Sequence, residues 1–345
     1  MEHLWLGTLE ERARDLLSPP LFEYVVQGAR SGVTAAEAVA AWQAVRFRPR
    51  VLRHVSDVDL ECDFLGTRGA VPWGVAPTTL QRAVHPDGEL AMARAAAAAG
   101  VLMVVSSNAG TPFADIGATG VAWWLQCYLP ADRALAEPML ARAVDAGARA
   151  IVLTVDTPVV GTKYPAAAEV IWDHVDPGLL RVNFDPGYEE APGSEKAMDL
   201  SRADLAWLSS TTGLPVVVKG VVRPDDASDC VQAGAAAVWV SNHGGRQLDR
   251  TASTALCLPG VVRAVADAVP VYVDGGLRSG LDILAALGLG ADAVFLGRTP
   301  LLALAGGAVD LARMHEALRA ELDEAFRLAG CRAVGDALGL ADDGG

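Results

Sequence analysis

The chain has 345 residues, of which 52% are hydrophobic and 35 are glycine. That is enough apolar material for one large α/β barrel with its own core, held by neither metals nor disulfides. The formal net charge of -14 argues against nucleic acid and anionic membrane as partners, because both repel an acidic surface. Any anionic substrate then needs a local basic pocket.

The N-terminus, MEHLWLGTLEERARDLL, is acidic and amphipathic and lacks the shape of a signal peptide. Residues 1–69 read as a helical extension, with spaced apolar positions over Leu9–Leu17 and Ala35–Val45 and a break at Pro19-Pro20. From Ala70 onward short β-branched runs alternate with Ala-rich amphipathic segments. The expected strands are Val71–Val75, Val101–Val105, Trp123–Tyr128, Ala150–Val155, Val216–Lys219, Ala237–Ser241, Val271–Asp274 and Ala293–Leu296. Helices are expected between them, as over Ala134–Ala146, Asp225–Ala233 and Leu281–Gly288. Short, continuously apolar strands suit a buried parallel sheet. Their repetition predicts a single-domain TIM (β/α)8 barrel, with a doubly wound open sheet as the alternative.

Residues 157–200 break the rhythm. They are rich in Pro, Gly and acidic residues, show no periodicity and carry no evident apolar anchor. A loop of that length after the fourth strand reads as an active-site lid. The five cysteines, Cys62, Cys127, Cys230, Cys257 and Cys331, form no CxxC and are odd in number. They read as reduced thiols of a cytoplasmic protein, with no metal site. The longest apolar run, Ala95–Val105, is too short to cross a bilayer.

In a TIM barrel the chemistry sits where strands end, and here every expected strand ends in polar or glycine residues. These are Ala76-Pro77-Thr78, Ser106-Ser107-Asn108, Gln126 with Tyr128, Thr154 with Asp156, Lys219, Ser241-Asn242-His243 with Arg246, Asp274-Gly275-Gly276 with Arg278, and Gly297-Arg298. The last two groups suit a phosphate, since glycine admits backbone N–H groups to an anion and the arginines supply charge. The competing reading is turn glycines with surface arginines. His243 suits a general base with Asp156 behind it, and Arg246 a two-pronged carboxylate grip, although a lone histidine is often structural. Lys219 ends a buried strand and needs an anionic partner. That partner is either a core ion pair or an electron-accepting ring.

Taken together, FEYVVQGA, APT, HPDGE, LTVDTP, VVVKG, SNHGGRQLD, VDGGLRSG, LGR and LAGCR resemble the FMN-dependent 2-hydroxy acid oxidases and dehydrogenases. That family includes glycolate, lactate and mandelate-oxidising enzymes. The motifs run from Tyr24 to Cys331. The resemblance implies FMN as cofactor, His243 as base with Asp156 as its partner, and Tyr128 on the reacting oxygen. It implies Tyr24 and Arg246 on the substrate carboxylate and Lys219 near flavin N1. Ser106, Gln126 and Thr154 would address the isoalloxazine edge and Ala76, Pro77 and Thr78 its face. Ser241 and Asp274 would serve the cofactor, Asp274 through the ribityl hydroxyls, and Gly275, Gly276, Arg278, Gly297 and Arg298 would serve the phosphate end. The implied reaction is oxidation of a 2-hydroxy acid to the 2-oxo acid with dioxygen as acceptor and hydrogen peroxide as product; the alternatives are an acceptor-linked dehydrogenase or a decarboxylating monooxygenase, and more remotely a non-oxidase FMN barrel such as an isomerase. Relatives suggest a homo-oligomer, a tetramer or octamer.

Four positions depart from the family pattern. Lys163 stands where a second carboxylate-binding arginine is expected and loses its planar fork, so Arg181 or His174 from the long loop could contribute instead. Asn108 replaces a bulky apolar side chain over the substrate tail, and Thr79 replaces an alanine near the flavin face. Both make the pocket more polar and point to a tail with a hydrogen-bonding group. Val25 replaces a tyrosine beside Tyr24, with no function attached.

Overall fold

The computed structural model describes residues 3–164 and 169–342, so residues 165–168 of the expected lid and the extreme termini lie outside the described residues. Its centre is a closed barrel of eight parallel strands: β1 (Trp73–Val75), β2 (Leu102–Ser106), β3 (Trp123–Cys127), β4 (Ile151–Thr154), β5 (Val216–Val221), β6 (Ala237–Val240), β7 (Val271–Val273) and β8 (Ala293–Leu296). The last strand pairs back to the first, Val294 opposite Trp73 and Leu296 opposite Val75. This closure excludes the open doubly wound sheet.

The strands read as continuous apolar runs because both faces are buried. One set of side chains, including Met103, Val105, Leu125, Ile151, Leu153, Val216 and Val218, faces the surrounding helices. The alternate set, Val104, Trp124, Val152, Val217, Trp239, Tyr272 and Phe295 among them, fills the lumen, as the two-residue period of a strand requires. Trp239 stacks on Phe295 with centroids 3.9 Å apart. Gly74 makes room for this layer, since a Cβ there would stand 2.4 Å from Phe295 Cε1. Phe64 plugs the N-terminal end of the lumen. Only the C-terminal end remains for a ligand.

Strand and helix limits differ from those expected by one or two residues. Pro72 lacks an N–H and delays β1 to Trp73, and Ala134–Ala146 opens as a 3-10 turn, Arg133–Ala136, before the α-helix Glu137–Asp145. The extension needs a larger correction, because 1–69 is not purely helical. Helices Leu9–Leu16, Pro19–Val26 and Val33–Gln43 are followed by an antiparallel hairpin, Cys62–Phe64 with Thr67–Gly69. Arg46–Phe47 pairs with Ala341–Asp342.

The described part of 157–200 holds 3-10 turns, at Ile171–Asp173, Pro177–Leu179 and Tyr188–Glu190, and isolated bridges from Lys163 to Arg30 and from Lys196 to Pro130, and lies against the barrel mouth. Asn183 is buried there, accepting from Phe113 N at 2.8 Å and donating to Thr111 O at 3.0 Å. Val159, Val160, Tyr164, Val170 and Trp172 are exposed along this loop. Among the described residues no helix is long and apolar enough to cross a membrane.

Candidate active site

A cavity of about 490 Å³ opens at the C-terminal end of the barrel. His243 follows β6 in a turn where three consecutive residues take positive φ: His243 at 56°, Gly244 at 62° and Gly245 at 75°. Glycine is required at Gly245, where a Cβ would meet Ala35 N at 2.5 Å. This turn aims the imidazole back over the barrel. Its Nδ1 lies 2.8 Å from Asp156 Oδ1. Asp156 follows β4 and fits because β5 bulges at Gly220, where a Cβ would stand 2.7 Å from the Asp156 Cβ. Thr157 Oγ1 donates to Asp156 Oδ1 at 2.9 Å, and Gln247 Nε2 donates to Thr157 Oγ1 at 2.8 Å. Burial alone would raise the Asp156 carboxyl. The charge and hydrogen bond of His243, aided by Lys219, outweigh it and hold the group below the ordinary carboxylate range. An ionised Asp156 accepts from Nδ1–H and leaves Nε2 as the acceptor facing the cavity. Tyr128 OH is 3.5 Å from that nitrogen, and burial raises its phenol pKa, keeping it a proton-bearing donor.

Arg246 lies on the same wall. Its guanidinium donates to the carbonyls of Tyr24 at 2.6 Å and Gln27 at 3.1 Å, and stacks over the Tyr24 ring at 4.8 Å. It forms no ion pair among the described residues, so its charge is available to an anion. Tyr24 is raised by burial, with Arg246 acting partly against this. Lys163 Nζ donates to Gly161 O at 2.7 Å; burial, then the charges of Arg246 and Lys196, push it down to about 8. Asn108 lines the cavity, but its Oδ1 accepts from Arg181 Nε at 3.2 Å and its backbone O accepts from Thr79 Oγ1 at 3.1 Å. The two polar departures therefore partly satisfy loop and backbone groups. His174 is excluded: it pairs with Glu169 at 2.9 Å and does not line the cavity.

Deeper in, Lys219 forms an ion pair with Asp274 at 3.0 Å and donates to Ser241 Oγ at 2.9 Å, which in turn donates to Asp274 Oδ1 at 2.6 Å. The core-ion-pair reading of Lys219 is thus met, while its side chain still lines the cavity. Gln126 Nε2 donates to Thr154 Oγ1 at 3.1 Å. Ser241 and Asp156 stand behind the wall. The other expected cofactor residues, Ala76, Pro77, Thr78, Ser106, Gln126, Thr154, Lys219, Asp274, Gly275, Gly276, Arg278, Gly297 and Arg298, all line the cavity.

The far end fits a phosphate. Arg298 donates to the carbonyls of Gly244 at 2.8 Å, Gln27 at 3.1 Å and Val25 at 3.2 Å, and Arg278 donates to Leu277 O. Neither forms an ion pair among the described residues. Burial, then the charges of Arg278 and Arg246, push Arg298 down to about 9, and burial also lowers Arg278. Glu10, with Asp282 for Arg278 and Asp274 for Arg298, offsets this only in part; two desolvated guanidinium groups without a paired carboxylate are costly, and an anion between them relieves both. At Gly297 a Cβ would meet only Ala76 Cβ, at 3.9 Å, so the backbone there is open to a ligand.

Sequence reasoning missed four groups. Thr157 and Gln247 lie inside the quoted LTVDTP and SNHGGRQLD motifs but received no role. Lys196, whose Nζ sits 3.9 Å from the Tyr128 ring centroid, and Trp172, edge-on to Tyr24 at 5.5 Å, come from the aperiodic loop and carried no signal.

A base facing an unpaired guanidinium beside a double-arginine anion cradle belongs to a barrel enzyme that works with a phosphate-bearing cofactor on an anionic substrate. The family follows from comparison with known proteins. The family model described as FMN-dependent dehydrogenase matches residues 13–339. Glycolate oxidase 3 of Arabidopsis thaliana is 38% identical over 94% of this chain and 92% of its own length, and glycolate oxidase of Spinacia oleracea 36% identical over 97% and 94%. A crystal structure of mandelate oxidase with (S)-4-hydroxymandelic acid superposes with a TM-score of 0.89 at 35% identity, covering 98% of both chains. The chain belongs to the FMN-dependent 2-hydroxy acid oxidase and dehydrogenase family; it is an FMN-dependent oxidoreductase, and its cavity fits that cofactor.

Proposed function

We propose that the enzyme oxidises a 2-hydroxy acid to the 2-oxo acid with dioxygen as final acceptor, releasing hydrogen peroxide. One observation carries the reading: His243, backed by Asp156, and the unpaired Arg246 guanidinium face one cavity whose far end fits the FMN phosphate. The names of the relatives, glycolate oxidase and mandelate oxidase, support the acceptor.

In this reading Arg246, Tyr24 and Lys163 hold the substrate carboxylate. Tyr128 donates to the hydroxyl oxygen at the reacting carbon. His243 Nε2 takes the hydroxyl proton, and Asp156 stabilises the imidazolium that forms. FMN, when bound, would supply the two-electron acceptor chemistry for the hydride equivalent leaving the substrate carbon. Ala76, Pro77, Thr78, Ser106, Gln126, Thr154 and Lys219 would cradle its ring, Asp274, with Ser241 behind it, would hold the ribityl chain, and Gly275, Gly276, Arg278, Gly297 and Arg298 would hold the phosphate. Residues 157–200 act as a lid in this proposal, supported by Trp172 and Lys196 packing on Tyr24 and Tyr128. Five free thiols and the acidic charge support a cytoplasmic setting.

The test is to mix the FMN-loaded protein without oxygen against 2-hydroxy acids from glycolate to mandelates, then admit air. Bleaching followed by stoichiometric peroxide is expected. A flavin that stays oxidised with every acid overturns the reading. Bleaching without peroxide replaces dioxygen by another acceptor.

A further inference from the structure

Lys196 has no part in that chemistry, yet it is held firmly in the cavity wall. Ala197 N donates to Leu129 O and Ala131 N donates to Glu195 O, both at 2.8 Å, so the segment is paired to the chain leaving β3. Its ammonium lies over the Tyr128 ring, beside the group that contacts His243. It forms no ion pair among the described residues, and neither does Lys163. Other charges at the mouth are already engaged: Arg181 pairs with Glu189 at 2.6 Å and Asp156 with His243. Apart from Arg278 and Arg298 at the phosphate end, the wall therefore carries three cations that form no ion pair among the described residues: Arg246, Lys163 and Lys196. Burial pushes Lys196 down to about 8, as it does Lys163, although Asp156 pulls it up; like-charge neighbours, Arg181 for Lys196 and Arg246 for Lys163, add to the fall. A single 2-carboxylate leaves much of this charge uncompensated, whereas a second anion a few bonds away offsets more of it.

We infer that the substrate is a dianion, a 2-hydroxy acid whose tail carries a second anionic group received by Lys196, with Lys163 lying between the two anions. This rests on the 2-hydroxy acid reading and names its substrate class. The second group is a carboxylate or a phosphate, and both sources can be tested.

The experiment measures anaerobic flavin bleaching by the FMN-loaded enzyme with malate, 2-hydroxyglutarate and 3-phosphoglycerate. Controls are lactate, 2-hydroxybutyrate and the tail methyl esters of the two diacids. The concentration for half-maximal bleaching should be at least about tenfold lower for a diacid than for its ester, the factor that ~1.4 kcal/mol represents. The phosphate arm decides which anion fits better. Lys196→Met should erase the diacid-to-ester ratio and Lys196→Arg restore it. Calorimetric affinities for 2-oxoglutarate against 2-oxobutyrate should show the same loss and rescue without turnover. Equal responses to diacid and ester in the wild type, or an unchanged ratio in Lys196→Met, overturn the inference while leaving the parent reading in place. Bleaching by none of these acids overturns the inference, and bleaching by none of them nor by glycolate and the mandelates overturns the parent reading as well.

Discussion

Replacing Asp156 by Asn tests the proposed base. The carboxylate oxygen is 2.8 Å from His243 Nδ1, and the aspartate side chain is 12% exposed. When the imidazole takes a proton, the new charge is centred about 4 Å from the carboxylate charge, which at an effective dielectric near 20 is worth about 4 kcal/mol. Losing that interaction should slow the step by about 10³-fold at ~1.36 kcal/mol per tenfold. Asparagine keeps the volume, so the Gln247–Thr157 support should stay. It can also present its NH₂ to Nδ1, which favours the wrong tautomer and adds to the loss, as the same change does in serine protease triads. The assay is the first-order rate of anaerobic flavin bleaching at saturating substrate, with the oxidised spectrum and the affinity for a 2-oxo acid as controls on cofactor and substrate binding. A fall of less than about tenfold with both controls intact would refute the assignment of His243 and Asp156 as a coupled base.

Three further outcomes are expected. Lys219→Met should cost about 3–5 kcal/mol of unfolding free energy, because it strands Asp274 in the core, and the double variant with Asp274→Asn should recover part of it; single variants within about 1 kcal/mol of wild type would show that the pair carries little. Substrate affinity should be level below pH 8 and weaken above it, because Lys163 and Lys196, both pushed down to about 8, lose their charge there. Half-saturation measured across pH 6.5 to 9.5 checks this, and a flat profile that Lys163→Met leaves unchanged would remove both lysines from substrate binding. Arg298→Met should weaken FMN binding about 10- to 100-fold, the range of one charge-assisted hydrogen bond at ~1.5–3 kcal/mol, read by fluorescence titration of the stripped protein. Riboflavin, which lacks the phosphate, should bind wild type and variant alike; an equal loss for both ligands would place Arg298 outside the phosphate site.

What was legible in the chain, and what was not, follows from how local each cause is. The barrel strands could be read because burial on both faces leaves uninterrupted apolar runs such as Val216–Val218, and that cause lies within the strand itself. Which of those valines faces the lumen could not, because both faces are apolar and the two-residue period leaves no mark. The hairpin at Cys62–Phe64 was missed because its strands are three residues long and its two-residue turn, Leu65 at φ 51° and Gly66 at φ 80°, lacks the asparagine or aspartate that usually announces such a turn. The site residues were legible as types at strand ends, because a polar group closing an apolar strand is costly unless it has a partner or a task. Their pairings were not. His243 and Asp156 lie 87 positions apart and meet only because β4 and β6 flank the β5 bulge at Gly220. Lys219 kept two readings open, since the same charge both completes a core pair with Asp274 and faces the cavity. Lys196 was invisible for the strongest reason: its place depends on backbone pairing with Pro130, 66 positions away, inside a segment without periodicity. Residues that hold the common chemistry sit on the barrel and leave a trace in its rhythm. Residues that choose the substrate sit on the loop above it, where three-dimensional pairing alone decides which side chain turns inward.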